Sequence, residues 1–394
     1  MPVFLPFSGC SRRCIFCAQH VQSGQAERSA ASALDQAGNR LNVIAARAAV
    51  SGADVGSAKR ERPELAFYGG TFTSLADNEF RACLDFVRNR LDCGHISTAR
   101  CSTRPDRLDR MRLAAMREAG FSLVELGVQS FQDRALEEAG RGYSGAAASA
   151  ACAAVGEAGF ALGIQLMPGM PGLDRAGAER DVRLALAAAP DCVRLYPCLV
   201  LEDTELADMW RAGRYRPWET EETTDFLAWA LGMFHAAGIP VIRIGVTEEE
   251  GLSARVLAGP RHPALGNRVR ALALYHYLRD ILGRIAPDAG RPGHAGIENA
   301  RTAQARGAAA RPGGAGESAF RRQAPREVSQ NQNASAAPEY FLRVPDSLQG
   351  DFWGHGGELE DRYAALGLTK ANVCRWGESD FALLRIMESA YRKS

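Results

Sequence analysis

"GCSRRCIFC", residues 9–17, places Cys10, Cys14 and Cys17 in a CxxxCxxC spacing at the start of the chain. The run just before it, "PVFLPF" (2–7), is short and apolar and reads as a strand. Three thiols therefore follow a first strand directly. Three chemistries compete for them. A structural zinc ion takes four ligands, and His20 would complete a CxxxCxxCxxH set in a nucleic-acid-binding module. Buried cysteines serving as small hydrophobes are a second reading. An iron–sulfur cluster held by three thiolates is the third, and it leaves one iron open to a substrate or cofactor.

Outward from the cysteines, short apolar runs alternate with helical stretches. The runs are "ELAFYGG" (64–70), "ISTARCST" (96–103), "LVELGVQS" (123–130), "ALGIQLMPG" (161–169), "CVRLYPCLV" (192–200) and "PVIRIGV" (240–246). Helical periodicity runs through 75–91, 106–120, 145–159 and 174–189, then 223–238 and 266–284. Strand–helix alternation of this kind predicts parallel βαβ units. The expected fold is α/β, a partial (β/α)6-type TIM-like barrel whose chemistry sits at the C-terminal ends of the strands. We expect the barrel over 1–250, a helical extension over 251–284, a disordered linker over 285–337 and a small cap over 338–394. The linker is rich in Gly, Ala, Pro, Arg, Gln and Asn with few apolar anchors.

The 394 residues are 46% hydrophobic, with a formal net charge of +1. Positive charge is almost all Arg, so an arginine run is weak support for a nucleic-acid partner. No stretch approaches the ~20 apolar residues of a membrane span, and "MPVFLPF" is too short for a signal peptide. A cytoplasmic location without a membrane partner is expected, where clustered cysteines point to metal or catalysis rather than disulfides. Cys83, Cys93, Cys101, Cys152, Cys192 and Cys374 lack ligand spacing.

The strand ends carry polar groups in an order that chemistry can use. Gly69 and Gly70 let backbone approach a ligand closely, or make an ordinary turn. Ser102 and Thr103 present hydroxyls, and Arg104 can pair with a carboxylate. Glu125, Gly127 and Gln129 share one face by period-two alternation, placed here inside the barrel. Gln165 is an amide in an apolar strand that needs hydrogen bonds, for which a ribose is one partner. Arg194, Tyr196 and Cys198 alternate onto one face, as ligand contacts or as core. Arg261, His262, Arg268 and Arg270 could take a phosphate, although a solvated basic helix face reads slightly better.

CxxxCxxC after the first barrel strand, with the aromatic Phe16 inside "CIFC", resembles the radical S-adenosylmethionine superfamily. That resemblance implies a 4Fe–4S cluster on Cys10, Cys14 and Cys17 as the catalytic centre, with S-adenosyl-L-methionine on its open iron. Reductive cleavage of the sulfonium then yields a 5′-deoxyadenosyl radical that takes hydrogen from a substrate. It also implies that Gly69, Gly70 and Thr71 hold the methionine amino group, that Gln129 bonds the ribose and that Arg141 meets the methionine carboxylate. Ser102, Arg104, Glu125 and Gln165 complete the expected S-adenosylmethionine site. The series "FYGGTFT", "STRPD", "ELGVQS", "RGYS", "QLMPGMPG", "LYPCLV", "DTEL" and "GRYRPW" is similar to the radical domain of the Elongator catalytic subunit and its bacterial relatives.

Elongator-type enzymes modify wobble uridines in tRNA with acetyl-coenzyme A. Their first cysteine spacing is longer, and 250–394 shows no Gly-rich pyrophosphate loop, so an acetyltransferase domain is not expected here. The substrate is left as tRNA or a small molecule, and the electron donor as a low-potential carrier such as flavodoxin or ferredoxin. The coproporphyrinogen dehydrogenase relatives, which share the GVQ-to-Arg spacing, are the first rival, and the zinc module the second.

Overall fold

A computed structural model describes residues 1–19, 29–50, 62–246, 252–285, 340–379 and 381–385. The expected linker and His20 lie outside these residues. Two compact units emerge, Met1–Gly266 and Asn267–Ser394.

The first unit is built on a seven-stranded, all-parallel sheet. Its strands are β1 (Pro2–Phe4), β2 (Leu65–Tyr68), β3 (Ala99–Thr103), β4 (Phe121–Gln129), β5 (Ala161–Leu166), β6 (Cys192–Leu195) and, after β7 (Val200–Leu201), β8 (Val241–Ile244). They pair in the order β1-β2-β3-β4-β5-β6-β8, and β1 and β8 do not pair with each other. The sheet is therefore an open, curled half-barrel of the expected α/β class. Most of the crossovers are helical, as parallel strands require. Helices cover Ala30–Val50, Asp77–Asp92, Arg110–Glu118, Gly145–Glu157, Arg175–Ala187 and Thr220–Ala236. β7 pairs antiparallel with β9 (Val256–Ala258).

Local chemistry explains where these elements start. Asp109, Ser144, Asp174 and Thr204 each accept a hydrogen bond from the backbone N–H three residues on. A capping side chain of this kind stabilises a helix by about 1 kcal/mol. Between sheet and helices, Phe67, Phe72, Phe80 and Phe121 pack with centroids 5.0–5.7 Å apart. The strands Cys192–Leu195 and Val124–Gln129 are buried on both faces, as expected for parallel strands sheathed by helices.

The second unit contains a three-stranded mixed sheet in which β10 (Tyr340–Pro345) lies between β11 (Val373–Trp376) and β12 (Ala382–Arg385). Tyr363 stacks on Phe352 at 4.4 Å. Arg268 and Arg270 pair with Glu358 (2.8 Å) and Asp351 (2.9 Å). These two arginines therefore pair within their own unit rather than forming the solvated basic helix face expected.

Candidate active site

The cysteine loop is held in place before any ligand is considered. Its backbone turns at Phe7, which has φ +58°, and Cys10 N–H donates to Phe7 O (3.0 Å). The loop docks on the turn after β2, where Thr71 N–H donates to Ser8 O (2.8 Å). Gly69 and Gly70 have φ +81° and +63°. A side chain at Gly70 would land on the backbone of Ser8. The double glycine thus packs backbone on backbone, as well as lining the cavity described below. Gln19 Oε1 accepts from both Phe7 N–H (2.5 Å) and Gly70 N–H (2.9 Å), tying the two loops together. Thr71, fully buried, lies against Cys10, with its hydroxyl 3.2 Å from the sulfur.

Two arginines converge on the middle thiol. Arg141 Nη1 donates to Cys14 Sγ at 3.0 Å, and Arg104 Nη1 lies 3.6 Å from the same sulfur. Arg141 is only 4% exposed. It is aimed by Tyr143, whose hydroxyl accepts from Arg141 Nη2 (2.7 Å) and sits within 3.1 Å of the Gly127 and Val128 carbonyls. Arg104 also bonds the Arg141 carbonyl and pairs with Asp106 at 2.9 Å. Burial pushes the Cys10 thiol up, and it pushes the Cys17 thiol up to about 12. Both are protonated at neutral pH, so loading a metal that takes thiolates releases protons.

The loop forms one edge of a cavity of about 750 Å³, within the range of small-molecule sites. Cys10, Cys14, Phe16, Cys17, Gly69, Gly70, Ser102, Arg104, Gln129, Arg141 and Gln165 all line it. Gln129 has the left-handed φ of +66°, rare for a non-glycine residue and typical of over-determined functional positions. The β4–β5 register shifts between Leu126 and Gln129. The Gln129 amide oxygen is buried with no hydrogen-bond partner among the described residues.

Glu125 falls elsewhere. It is 1% exposed, and it does not line the cavity. Arg194 Nε donates to Oε2 at 2.5 Å and Arg194 Nη2 to Oε1 at 3.1 Å. Tyr68 donates to Oε1 (2.9 Å) and Gln165 Nε2 to Oε2 (3.1 Å), while Arg100 Nε stands 3.7 Å away. Gln165 continues to Ser102 at 2.6 Å. The expectation that Glu125 meets a ligand is corrected here, because its lone pairs are occupied by protein donors. Its place is beneath the cavity floor, where it neutralises Arg194 and aims Gln165.

For Cys198, left open between ligand contact and core, the structure gives the core. Arg194 and Tyr196 line the cavity, but Cys198 does not. β6 ends at Leu195, and Pro197, which has no N–H to give a ladder, follows one residue after Tyr196. The alternation expected from the sequence stops there, and Cys198 is buried near Tyr215, at 2% exposure. Tyr68, Arg100, Tyr143 and Gln19 belong to the site and were missed. Tyr68 had a signal, as the last residue of the strand before Gly69. Gln19 had none beyond its closeness to Cys17.

The sequence profile of the radical SAM superfamily matches residues 4–185, and a radical SAM C-terminal domain profile matches 190–273. The tRNA uridine(34) acetyltransferase of Methanocaldococcus jannaschii is 33% identical over 191 residues, 42% of this chain and 35% of that protein. Elongator complex protein 3 of Danio rerio is 30% identical over 199 residues, 44% of this chain and 35% of that protein. The match therefore spans about a third of the length of these relatives. Among solved structures, the archaeal Elp3 of Methanocaldococcus infernus superposes with TM-score 0.46 at 27% identity, over 55% of this chain and 54% of that one. Coproporphyrinogen III oxidase of Escherichia coli gives TM-score 0.42 at 19% identity, over 60% and 52%. With the profiles spanning the cysteine loop and every strand end around the cavity, the chain belongs to the radical SAM superfamily, whose enzymes use a 4Fe–4S cluster and S-adenosylmethionine.

Proposed function

We propose that Cys10, Cys14 and Cys17 hold the 4Fe–4S cluster, that the adjoining cavity takes S-adenosylmethionine, and that the radical formed there acts on a base of tRNA. The cluster and S-adenosylmethionine supply reductive cleavage of a sulfonium and an adenosyl radical when bound. The chain's own residues do the rest. Arg141 and Arg104 bring positive charge to Cys14 and hold its sulfur at the cavity edge. Gln129 offers an unpaired amide oxygen to a donor, which suits a ribose hydroxyl. Ser102 and Gln165 present a pre-bonded polar pair, held by Glu125. Phe16, buried between two of the thiols, helps exclude water.

The residues fit the group, and the orphaned Gln129 oxygen is the observation that carries the reading. A buried polar atom left without a partner costs roughly 1–3 kcal/mol, which a bound ligand recovers. The tRNA assignment is supported by the relatives named for tRNA uridine(34), whose shared region is about a third of their length. A test is to incubate the reduced, cluster-loaded chain with unmodified tRNA and, separately, with tetrapyrroles. Release of 5′-deoxyadenosine above the uncoupled rate with tRNA alone is the expected result. Stimulation by a tetrapyrrole alone would transfer the assignment to the coproporphyrinogen-type rival.

A further inference from the structure

Gln129 keeps a buried amide oxygen without a partner among the described residues, and it does so on a left-handed backbone. Glutamine has no preference for that region, unlike glycine or asparagine. Its surroundings must therefore impose the conformation. On one side they do so through the sheet, where Met167 N–H donates to the Gln129 carbonyl at 2.8 Å.

On the other side the hold comes from a carboxylate outside the cavity. Asp181 lies on the buried face of the helix Arg175–Ala187, in company with Ala178, Val182 and Ala185. It is 2% exposed and does not line the cavity. A carboxylate so placed is costly unless its oxygens are satisfied. Its partners all come from the three residues that follow Gln129. Ser130 Oγ donates to Oδ2 at 2.6 Å, while Phe131 N–H and Gln132 Nε2 donate to Oδ1 at 2.8 and 2.9 Å. Ser130 Oγ in turn accepts from Gln132 N–H at 3.0 Å, and Arg180 Nε donates to Gln132 Oε1 at 3.2 Å. Residues 130–132 are thus tied to one side chain 49 to 51 positions further along the chain.

We propose that Asp181 is a positioning residue for the S-adenosylmethionine site: by clamping residues 130–132 it keeps Gln129 left-handed and aims its amide oxygen into the cavity. The proposal rests on the reading of Gln129 as a ligand contact and adds a residue that touches no ligand itself. Without the carboxylate, the Phe131 N–H and the Ser130 hydroxyl lose their buried acceptor, and the segment turns to find others. Gln129 then relaxes towards extended backbone. Such a backbone change re-aims the side chain relative to the sheet and takes the amide out of the cavity.

The test is a double-mutant cycle on the cluster-loaded chain, pairing Asp181→Ala with Gln129→Gly. Asp181→Ala should weaken S-adenosylmethionine in calorimetry by roughly threefold to tenfold, the value of one hydrogen bond. In dithionite-driven cleavage, KM for S-adenosylmethionine should rise while kcat holds, because the lost contact is one of binding. Adding Asp181→Ala to Gln129→Gly should bring no further weakening, since the side chain that Asp181 aims is already gone. Asp181→Asn, which keeps an acceptor for Phe131 N–H and Gln132, should recover most of the affinity. If Asp181→Ala does not fold, Ser130→Ala cuts the clamp at one bond and takes its place in the cycle, with the same pattern expected. A folded clamp variant that binds S-adenosylmethionine at full strength overturns the proposal. So does a double variant in which the two losses multiply, because Asp181 then acts by a route other than Gln129. Full affinity in Gln129→Gly alone would instead bring down the reading of Gln129 and this proposal with it.

Discussion

The rim and the floor of the cavity are both polar, yet they are built on opposite principles. On the floor, the Glu125 carboxylate of β4 meets Arg194, Tyr68 and Gln165, contributed by three other strands. It is a closed network. On the rim, the thiols of Cys10, Cys14 and Cys17 face a cavity, and Gln129 keeps an amide oxygen with nothing to accept. That rim is open-valent. A closed buried network rigidifies a structure, while an open one costs free energy until something binds. The contrast separates groups that position from groups that bind, although both are buried polar residues at strand ends.

Four substitutions would sharpen or break this contrast. Cys14→Ala should have the largest effect: cluster iron is lost and S-adenosylmethionine cleavage drops to background, while the circular dichroism of the fold survives. Retained colour and cleavage would remove Cys14 from the rim chemistry. Next, Glu125→Leu strands Arg194 without its partner, and breaking a buried pair in this way costs about 3–5 kcal/mol. Urea unfolding should register that loss. If stability holds but S-adenosylmethionine binding vanishes, the floor is a ligand site and the contrast is false.

Gly70→Ala comes third. It combines a left-handed backbone, worth about 1–3 kcal/mol of strain in a non-glycine residue, with collision against Ser8. The cysteine loop should loosen, so iron retention during gel filtration should fall more than the global unfolding midpoint does. Smallest is Gln129→Gly. Glycine carries φ +66° freely, so unfolding stability should hold or rise. Loss of one ligand hydrogen bond, about 0.5–1.5 kcal/mol, should still weaken S-adenosylmethionine by roughly threefold to tenfold. Equal affinity in calorimetry would leave the orphaned oxygen without a role.

Much of this molecule was legible in its sequence because the fold repeats one signal. Each apolar run from Pro2 to Ile244 that was read as a barrel strand contains one, in the expected order. The errors lie at strand C-termini. "PVFLPF" was read to Phe7, but β1 stops at Phe4, and "CVRLYPCLV" was read to Val200, but β6 stops at Leu195. In both runs a proline, Pro6 or Pro197, withdraws a ladder donor while the residues stay apolar. The helix Ala30–Val50 was not read from the sequence. The site was half legible. Cys10, Cys14 and Cys17 announce themselves by spacing within eight residues. The ion pair of Glu125 with Arg194 spans 69 residues, and nothing local to either residue names the other. Glu125 therefore looked like a costly buried charge in search of a ligand, when its partner lay two strands away.

The central claim is that the three rim thiols hold an iron–sulfur cluster that opens onto the cavity. Anaerobic reconstitution with iron and sulfide, followed by metal analysis and reduction in the presence of S-adenosylmethionine, tests it directly. The account predicts a brown protein with about four irons per chain, a spectrum that changes when S-adenosylmethionine is added, and 5′-deoxyadenosine among the products. A colourless protein that retains one tightly bound zinc and releases no 5′-deoxyadenosine would contradict it.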